Sequence, residues 1–166
     1  ARLAVIHLLD QKPAEAVRVL KASRGVSLPP DLGAERRHLE ARALVQLGRE
    51  DAAIKLLGRD ATRKAELVRS EIHWRRNKWG KVAASMESIL GERWQAETPL
   101  DEIEQTQVLR LAVSLTFENN RAGLDTLRRR YGEKMKAGAN GDAFELLTGH
   151  VDRAATAFRD LSKQVV

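Results

Sequence analysis

Apolar and polar positions along the chain follow a helical period and repeat in blocks. A small residue is followed four positions later by a large apolar one at Ala16/Leu20, Ala53/Leu57, Val82/Met86, Gly123/Leu127 and Ala154/Phe158. Eight residues before each small residue stands another apolar one: Leu8, Val45, Trp74, Leu115 and Leu146. The small residues are 37, 29, 41 and 31 apart, the irregularity that turns of variable length between matched units would give.

Each block reads as two helices. A polar or glycine break, at Gln11, Gly48, Asn77, Glu118 and Gly149, precedes the small residue by about five positions. Gly48 and Gly149 can take the positive φ that ends a helix. Leu39, Ala43, Leu44 and Leu47 form one apolar stripe before a break, and Leu109, Ala112, Val113 and Leu115 form another. Ala53, Ile54, Leu56 and Leu57 mark a second helix after a break, as do Val82, Ala83, Met86, Ile89 and Leu90.

Start and stop signals fit this division. Pro29 and Pro30 ahead of Asp31 predict a helix running to about Leu47, because proline lacks only an N–H that has no partner in a first turn. Thr98, Pro99 and Asp101 predict a second start, with Thr98 as the cap, Pro99 in the first turn and an acid near the positive helix end. Linkers are expected over 23–27, 91–98 and 137–141, the last as a local boundary. No segment alternates with β-branched enrichment, so no strand is expected. The predicted fold is all-α: a single array, 1–166, of about five antiparallel helical hairpins stacked as an α-α superhelix. Its units are approximately 1–27, 28–60, 61–97, 98–137 and 138–166.

Composition narrows the chemistry. Among 166 residues there is no cysteine, which excludes disulfides, a thiol nucleophile and Cys-ligated zinc or iron–sulfur centres. With 43% apolar residues the chain can bury a core. No apolar run reaches the roughly 18–20 residues needed to span a bilayer. Ala1 begins inside a patterned stretch without a signal peptide, and the missing Met leads us to expect a piece of a longer chain. The compartment, cytoplasm or bacterial periplasm, is therefore left open. The net charge of +6 is uneven: residues 1–60 carry 11 basic and 8 acidic groups, 61–96 carry 8 and 4, and 97–166 carry 10 and 11. Such an excess attracts anionic partners without bearing on the fold.

Candidate catalytic groups are sparse. His7, His38, His73 and His150 are scattered, and none pairs with another at helical spacing. His7 and His73 hold equivalent places next to Leu8 and Trp74, which argues for a packing role. Asp101, Glu102 and Glu104 suit a helix N-terminus better than an acid–base pair. There is no phosphate-binding glycine loop and no G-x-S-x-G elbow. The expectation is no enzyme activity, no cofactor and no metal. Arg75 and Arg76 beside Trp74, and Arg128, Arg129 and Arg130 beside Tyr131, combine charge with aromatic rings as single-strand nucleic-acid sites do. Consecutive helical residues, however, point about 100° apart, so the three arginines do not form one stripe. Trp74 is expected in the core and Trp79 in a helix turn. Trp94 either closes the gap between units or is an exposed contact.

The blocks resemble tetratricopeptide repeats, a family with a 34-residue period, paired helices and a small residue early in the second helix. The stretch from Leu39 to Leu57, LEARALVQLGREDAAIKLL, carries the resemblance best, with Ala41, Gly48 and Ala53 at the family's small positions. Glu15-Ala16-Val17 and Asp51-Ala52-Ala53-Ile54 resemble its acidic-alanine stretch, and Trp79 falls where the family often has an aromatic residue. More loosely, the chain is similar to repeat regions within large, uncharacterised bacterial proteins. The resemblance implies a non-catalytic interaction or scaffold module whose first helices line a concave, partner-binding face. On this chain that face would comprise Glu35, His38, Arg42 and Gln46, then Lys64, Leu67, Glu71 and Arg75, then Gln105, Val108 and Ala112. The implied partner is a protein or peptide, acidic in part. The family's clamp for a C-terminal carboxylate is not expected, because His38, Arg42, Leu67 and Glu71 stand where it needs Lys and Asn. Two alternatives remain at this level. One is an RNA-binding repeat of the pentatricopeptide type, from KPAEAVRVLKASRGVSLPPD, although the code residues it needs are not found. The other is a spacer or self-assembly segment, with the array ends and the tail Gln164, Val165 and Val166 packing on further repeats or a second copy.

Overall fold

A computed structural model describes residues 1–23 and 29–149, and every described regular element is helical. Outside the described residues lie most of the expected 23–27 linker, His150, the fifth pair Ala154/Phe158 and the apolar tail. The helices are α1 (Arg2–Leu9), α2 (Pro13–Ala22), α3 (Pro30–Gln46), α4 (Glu50–Leu57), α5 (Arg63–Arg75), α6 (Trp79–Leu90), α7 (Glu102–Phe117), α8 (Arg121–Lys136) and α9 (Gly141–Thr148). A 3-10 turn, Arg93–Gln95, lies in the linker before α7. Two compact units divide the chain, Ala1–Ile89 and Leu90 onward, so the break adjoins the expected 91–98 linker. Of the expected 137–141 linker, 137–140 form a turn within the second unit and Gly141 opens α9.

Four turns set the frame. Exactly three residues would be too few for anything but a tight reversal, and three separate α1 from α2, α3 from α4, α5 from α6 and α7 from α8. In each, the middle residue is left-handed: Gln11 (φ 56°), Gly48 (71°), Asn77 (53°) and Asn119 (54°). The next residue donates its N–H back to the carbonyl five before it: Lys12 to His7 (2.7 Å), Arg49 to Leu44 (2.8 Å), Lys78 to His73 (2.8 Å) and Asn120 to Leu115 (2.9 Å). This is the Schellman closure, which satisfies carbonyls that a helix end leaves orphaned.

In the first unit α3 packs against α1, α2, α4 and α5, and its middle is buried on nearly every side. Ala16, Ala53 and Val82 each stand five residues after the left-handed position and are fully buried, as expected. Leu20, Leu57 and Met86 four residues later are buried too. Trp74 is half-buried and meets Trp79 edge-to-face at 5.1 Å across the α5–α6 turn. Arg63 donates to the Ile89 carbonyl (2.8 Å) and Ser85 to Glu66 (2.9 Å), tying α6 to α5.

The second unit departs from the expected register. Its left-handed residue is Asn119, not Glu118, so the position equivalent to Ala16, Ala53 and Val82 is Leu124, not Gly123. Gly123 is nevertheless tightly packed: a Cβ there would lie 2.9 Å from Leu115 Cδ2 and from the Asn120 side chain that caps α8, so those side-chain ends would have to shift. Leu146, expected to be apolar core, is 83% exposed, because α9 turns Phe144 and Thr148 inward and Leu146 lies on the opposite side. Gly149 ends α9 at φ −67°, not left-handed. The cap of α7 is Asp101 rather than Thr98: its carboxylate accepts from Glu104 N–H (2.7 Å) while Glu104 accepts from Asp101 N–H (3.0 Å). Pro30 in the first turn of α3, with Pro29 before it, follows expectation.

Candidate functional site

Counting back from the left-handed residue places the expected surface positions. Glu35, His38, Arg42 and Gln46 stand 13, 10, 6 and 2 residues before Gly48; Lys64, Leu67, Glu71 and Arg75 stand at the same distances before Asn77. That spacing keeps each set on one side of its helix. α3 and α5 pack side by side, so two matched rows lie next to each other within the first unit. Arg42, Gln46, Lys64, Leu67 and Arg75 are exposed, and Glu35 and Glu71 are half-buried. Seven of these eight residues therefore have access to solvent.

His38 is the exception and does not line the surface: it is buried. Its Nε2 lies 2.8 Å from Asp60 Oδ2 and 3.2 Å from Thr62 Oγ1. An ionised carboxylate only accepts, so Nε2 carries the proton. Thr62 N–H donates to Asp60 Oδ1 (2.9 Å), and the Thr62 hydroxyl caps α5 by accepting from Ala65 N–H. Hydrogen bonds from Thr62, side chain then backbone, are the chief reason that the Asp60 carboxyl drops from its ordinary 3.8 to about 2. Arg69 completes the knot, donating to the carbonyls of Asp60 (2.6 Å) and Gly58 (2.8 Å) and to Glu66 (2.6 Å). Asp60 is the residue that sequence reading missed. The signal was Asp60-x-Thr62, the local turn chemistry of an acid two residues before a helix cap.

Arg75 and Glu71 are partly committed. Arg75 Nε pairs with Glu71 (3.0 Å) and its Nη1 reaches the Val45 carbonyl at the end of α3 (3.3 Å). Arg42 and Lys64 form no ion pair with a described residue, so their charges face solvent.

In α7 the three expected positions fall short by one residue. Gln105, Val108 and Ala112 stand 14, 11 and 7 before Asn119, and all three are buried. Gln105 donates to the Leu100 carbonyl (3.1 Å) and lies hard against Gly138, where any Cβ would collide with it. The equivalent accessible row is Thr106, Leu109, Val113 and Phe117, the last 63% exposed. Asn119 could have revealed this, since asparagine tolerates the left-handed region better than glutamate does.

The remaining charged and aromatic candidates are tied into the second unit. Arg130 stacks on the Trp94 ring (5.2 Å), Arg129 donates to Thr126 (3.0 Å) and Arg128 approaches Glu145 (3.7 Å), so the three arginines diverge as their spacing predicts. Trp94 is half-buried under Arg130. Arg93 pairs with Glu104 (2.6 Å), holding that carboxyl below its usual value, and also binds the Pro99 carbonyl (2.6 Å). A cleft of about 240 Å³ between α8 and α9 offers Arg128, Arg129 and Lys136, but Glu145 and Glu133 pair with Arg128 and Lys136. Among the described residues no group of three or more His, Cys, Asp or Glu is placed to hold a metal, and no helix is long and apolar enough to cross a membrane.

Compared with protein-family models, curated proteins and solved structures, the chain matches none.

Proposed function

We propose that the chain is a non-catalytic interaction module of tetratricopeptide type whose first unit binds a partly acidic peptide across the α3 and α5 rows. One observation carries this reading. Arg42 and Lys64, exposed and without an ion pair among the described residues, project from matched rows of adjacent helices, with Leu67 on the Lys64 row and Gln46 and Glu35 on the Arg42 row. Two cations and an apolar side chain on the same pair of rows suit a peptide that alternates acidic and apolar residues. Arg75 and Glu71 form a paired wall at one end of the surface. The buried knot at His38 holds α3 against the start of α5, so the rows keep their spacing before a partner arrives, which lowers the ordering cost of binding.

An array of peptides varying in acidic and apolar content, read by fluorescence polarisation, tests the proposal. The expected result is a class of acidic–apolar binders whose affinity drops at least about tenfold in Arg42→Glu/Lys64→Glu, a loss of about 1.4 kcal/mol or more. Thermal unfolding of the double variant should match the parent, because neither side chain supports the fold. An array without binders, or binders indifferent to the double reversal, would sink the proposal.

A further inference from the structure

We infer that α1 pairs antiparallel with α1 of a second copy of this chain, forming a weak symmetric dimer. The helix has two apolar faces. Ala4 and Leu8 are buried against the rest of the first unit, with Val5 half-buried beside them. On the opposite side, Leu3 and Ile6 are each 53% exposed and Leu9 is 77% exposed. At 100° per residue, Leu9, Arg2, Ile6, Asp10 and Leu3 fall within one arc of about 120°, centred on Ile6 and directly away from the buried face. A helix apolar all round belongs between two layers.

Charge selects the occupant. Arg2 and Asp10 lie within the arc and flank Ile6 along the helix axis, four residues to either side. An antiparallel copy centred on Ile6 sets Ile6 against Ile6 once at the axis, and Leu3 against Leu9 and Arg2 against Asp10 twice each. The surface is therefore self-complementary, which is the condition for an isologous two-fold contact. Asp10 also approaches Lys12 at 3.7 Å, but both side chains are more than half exposed, and such a pair holds its carboxylate only weakly. A helix of eight residues is about 12 Å long, so the contact is small and the dimer falls in the weak, micromolar or looser, class.

Sedimentation velocity over roughly 5 to 500 μM tests this in the range where a small interface operates. A monomer–dimer equilibrium is expected. Ile6→Glu places two carboxylates at the axis and should weaken it at least about tenfold, while its circular dichroism melt stays near that of the parent because Ile6 is half exposed. Arg2→Glu and Asp10→Arg should each weaken pairing alone. Mixing the two single variants should restore it, because every introduced charge then meets its opposite. A monomer throughout the range, as when another segment covers α1, overturns the inference. So does a dimer that survives Ile6→Glu, or a mixture that fails to recover.

Discussion

α3 and α7 occupy the same place in their hairpins yet differ in the polar contacts that hold them. α3 is locked from within, by the buried His38–Asp60–Thr62 contact and by neighbours on four sides. α7 is braced from outside, where Arg93 and Lys134 reach the carbonyls of the linker before it and Asp101 and Glu104 cap it reciprocally. Their surfaces differ accordingly: the α3 row carries Glu35, Arg42 and Gln46, whereas the α7 row carries Thr106, Leu109, Val113 and Phe117. The turn geometry is common to both and fixes which residues face solvent. The surface chemistry is then free to change from charged to apolar without altering the hairpin.

That claim is most exposed in α7, where the expected and observed registers differ by one residue. Val108→Asp should cost roughly 3–5 kcal/mol, the scale of an uncompensated buried charge. Thr106→Asp, only two positions away on the accessible row, should fall within about 0.5 kcal/mol of the parent. Urea unfolding of the two variants reads the difference. Equal effects would mean that Asn119 does not set the register.

The internal lock of α3 makes a second, smaller prediction. Asp60→Asn removes a charged acceptor from a largely buried histidine and should cost about 1–3 kcal/mol at neutral pH. In the parent, the folded Asp60 carboxyl titrates at about 2 against 3.8 unfolded, so its contribution is complete above about pH 4 and disappears as pH falls toward 2. His73 acts in the same direction at milder pH. Burial first, then Lys81, Arg76 and Arg69, lower its folded value below the ordinary 6.5, with Glu66 opposing. The unfolded chain then binds the proton more readily, so stability declines as pH drops below about 6.5. A stability profile flat between pH 7 and 3 would contradict both statements. A contact elsewhere in the second unit is worth less still: Arg130→Ala removes the exposed cation–π contact with Trp94 and should cost about 0.5–1 kcal/mol.

How much of this was legible depended on which feature carried the information. Helix existence followed from the 3.6-residue stripes, and the first three small–large pairs were right because Ala16, Ala53 and Val82 sit at a fixed distance from their turns. Gly123 misled because its smallness serves contact with Leu115 and the Asn120 cap rather than the equivalent position. That single residue moved the whole α7 row onto its buried side, to Gln105, Val108 and Ala112. Leu146 misled differently, since an eight-residue α9 buries only Phe144 and Thr148 and leaves Leu146 outside. His38 was placed on the correct side of α3, but its burial depends on Asp60 and Thr62, 22 and 24 residues onward. Contacts between separate elements leave no periodic trace in a sequence.

The finest test asks whether the turns are interchangeable as well as alike. Gly48 holds φ 71° and Gln11 holds φ 56° in the same closure. Glycine enters that region without a steric penalty, whereas a side-chain-bearing residue meets one of roughly 1–2 kcal/mol. Part of that is offset in the unfolded chain, where glycine has more freedom to lose. Gly48→Ala should therefore destabilise by about 1 kcal/mol, with no help from side-chain packing, because a Cβ there meets nothing within 4 Å. Gln11→Gly should instead stabilise by a few tenths to about 1 kcal/mol. Opposite signs at equivalent sites, measured by denaturant midpoint, are what a shared turn geometry demands. If both substitutions destabilise, the Gln11 side chain contributes to its turn and the two closures are alike only in backbone form.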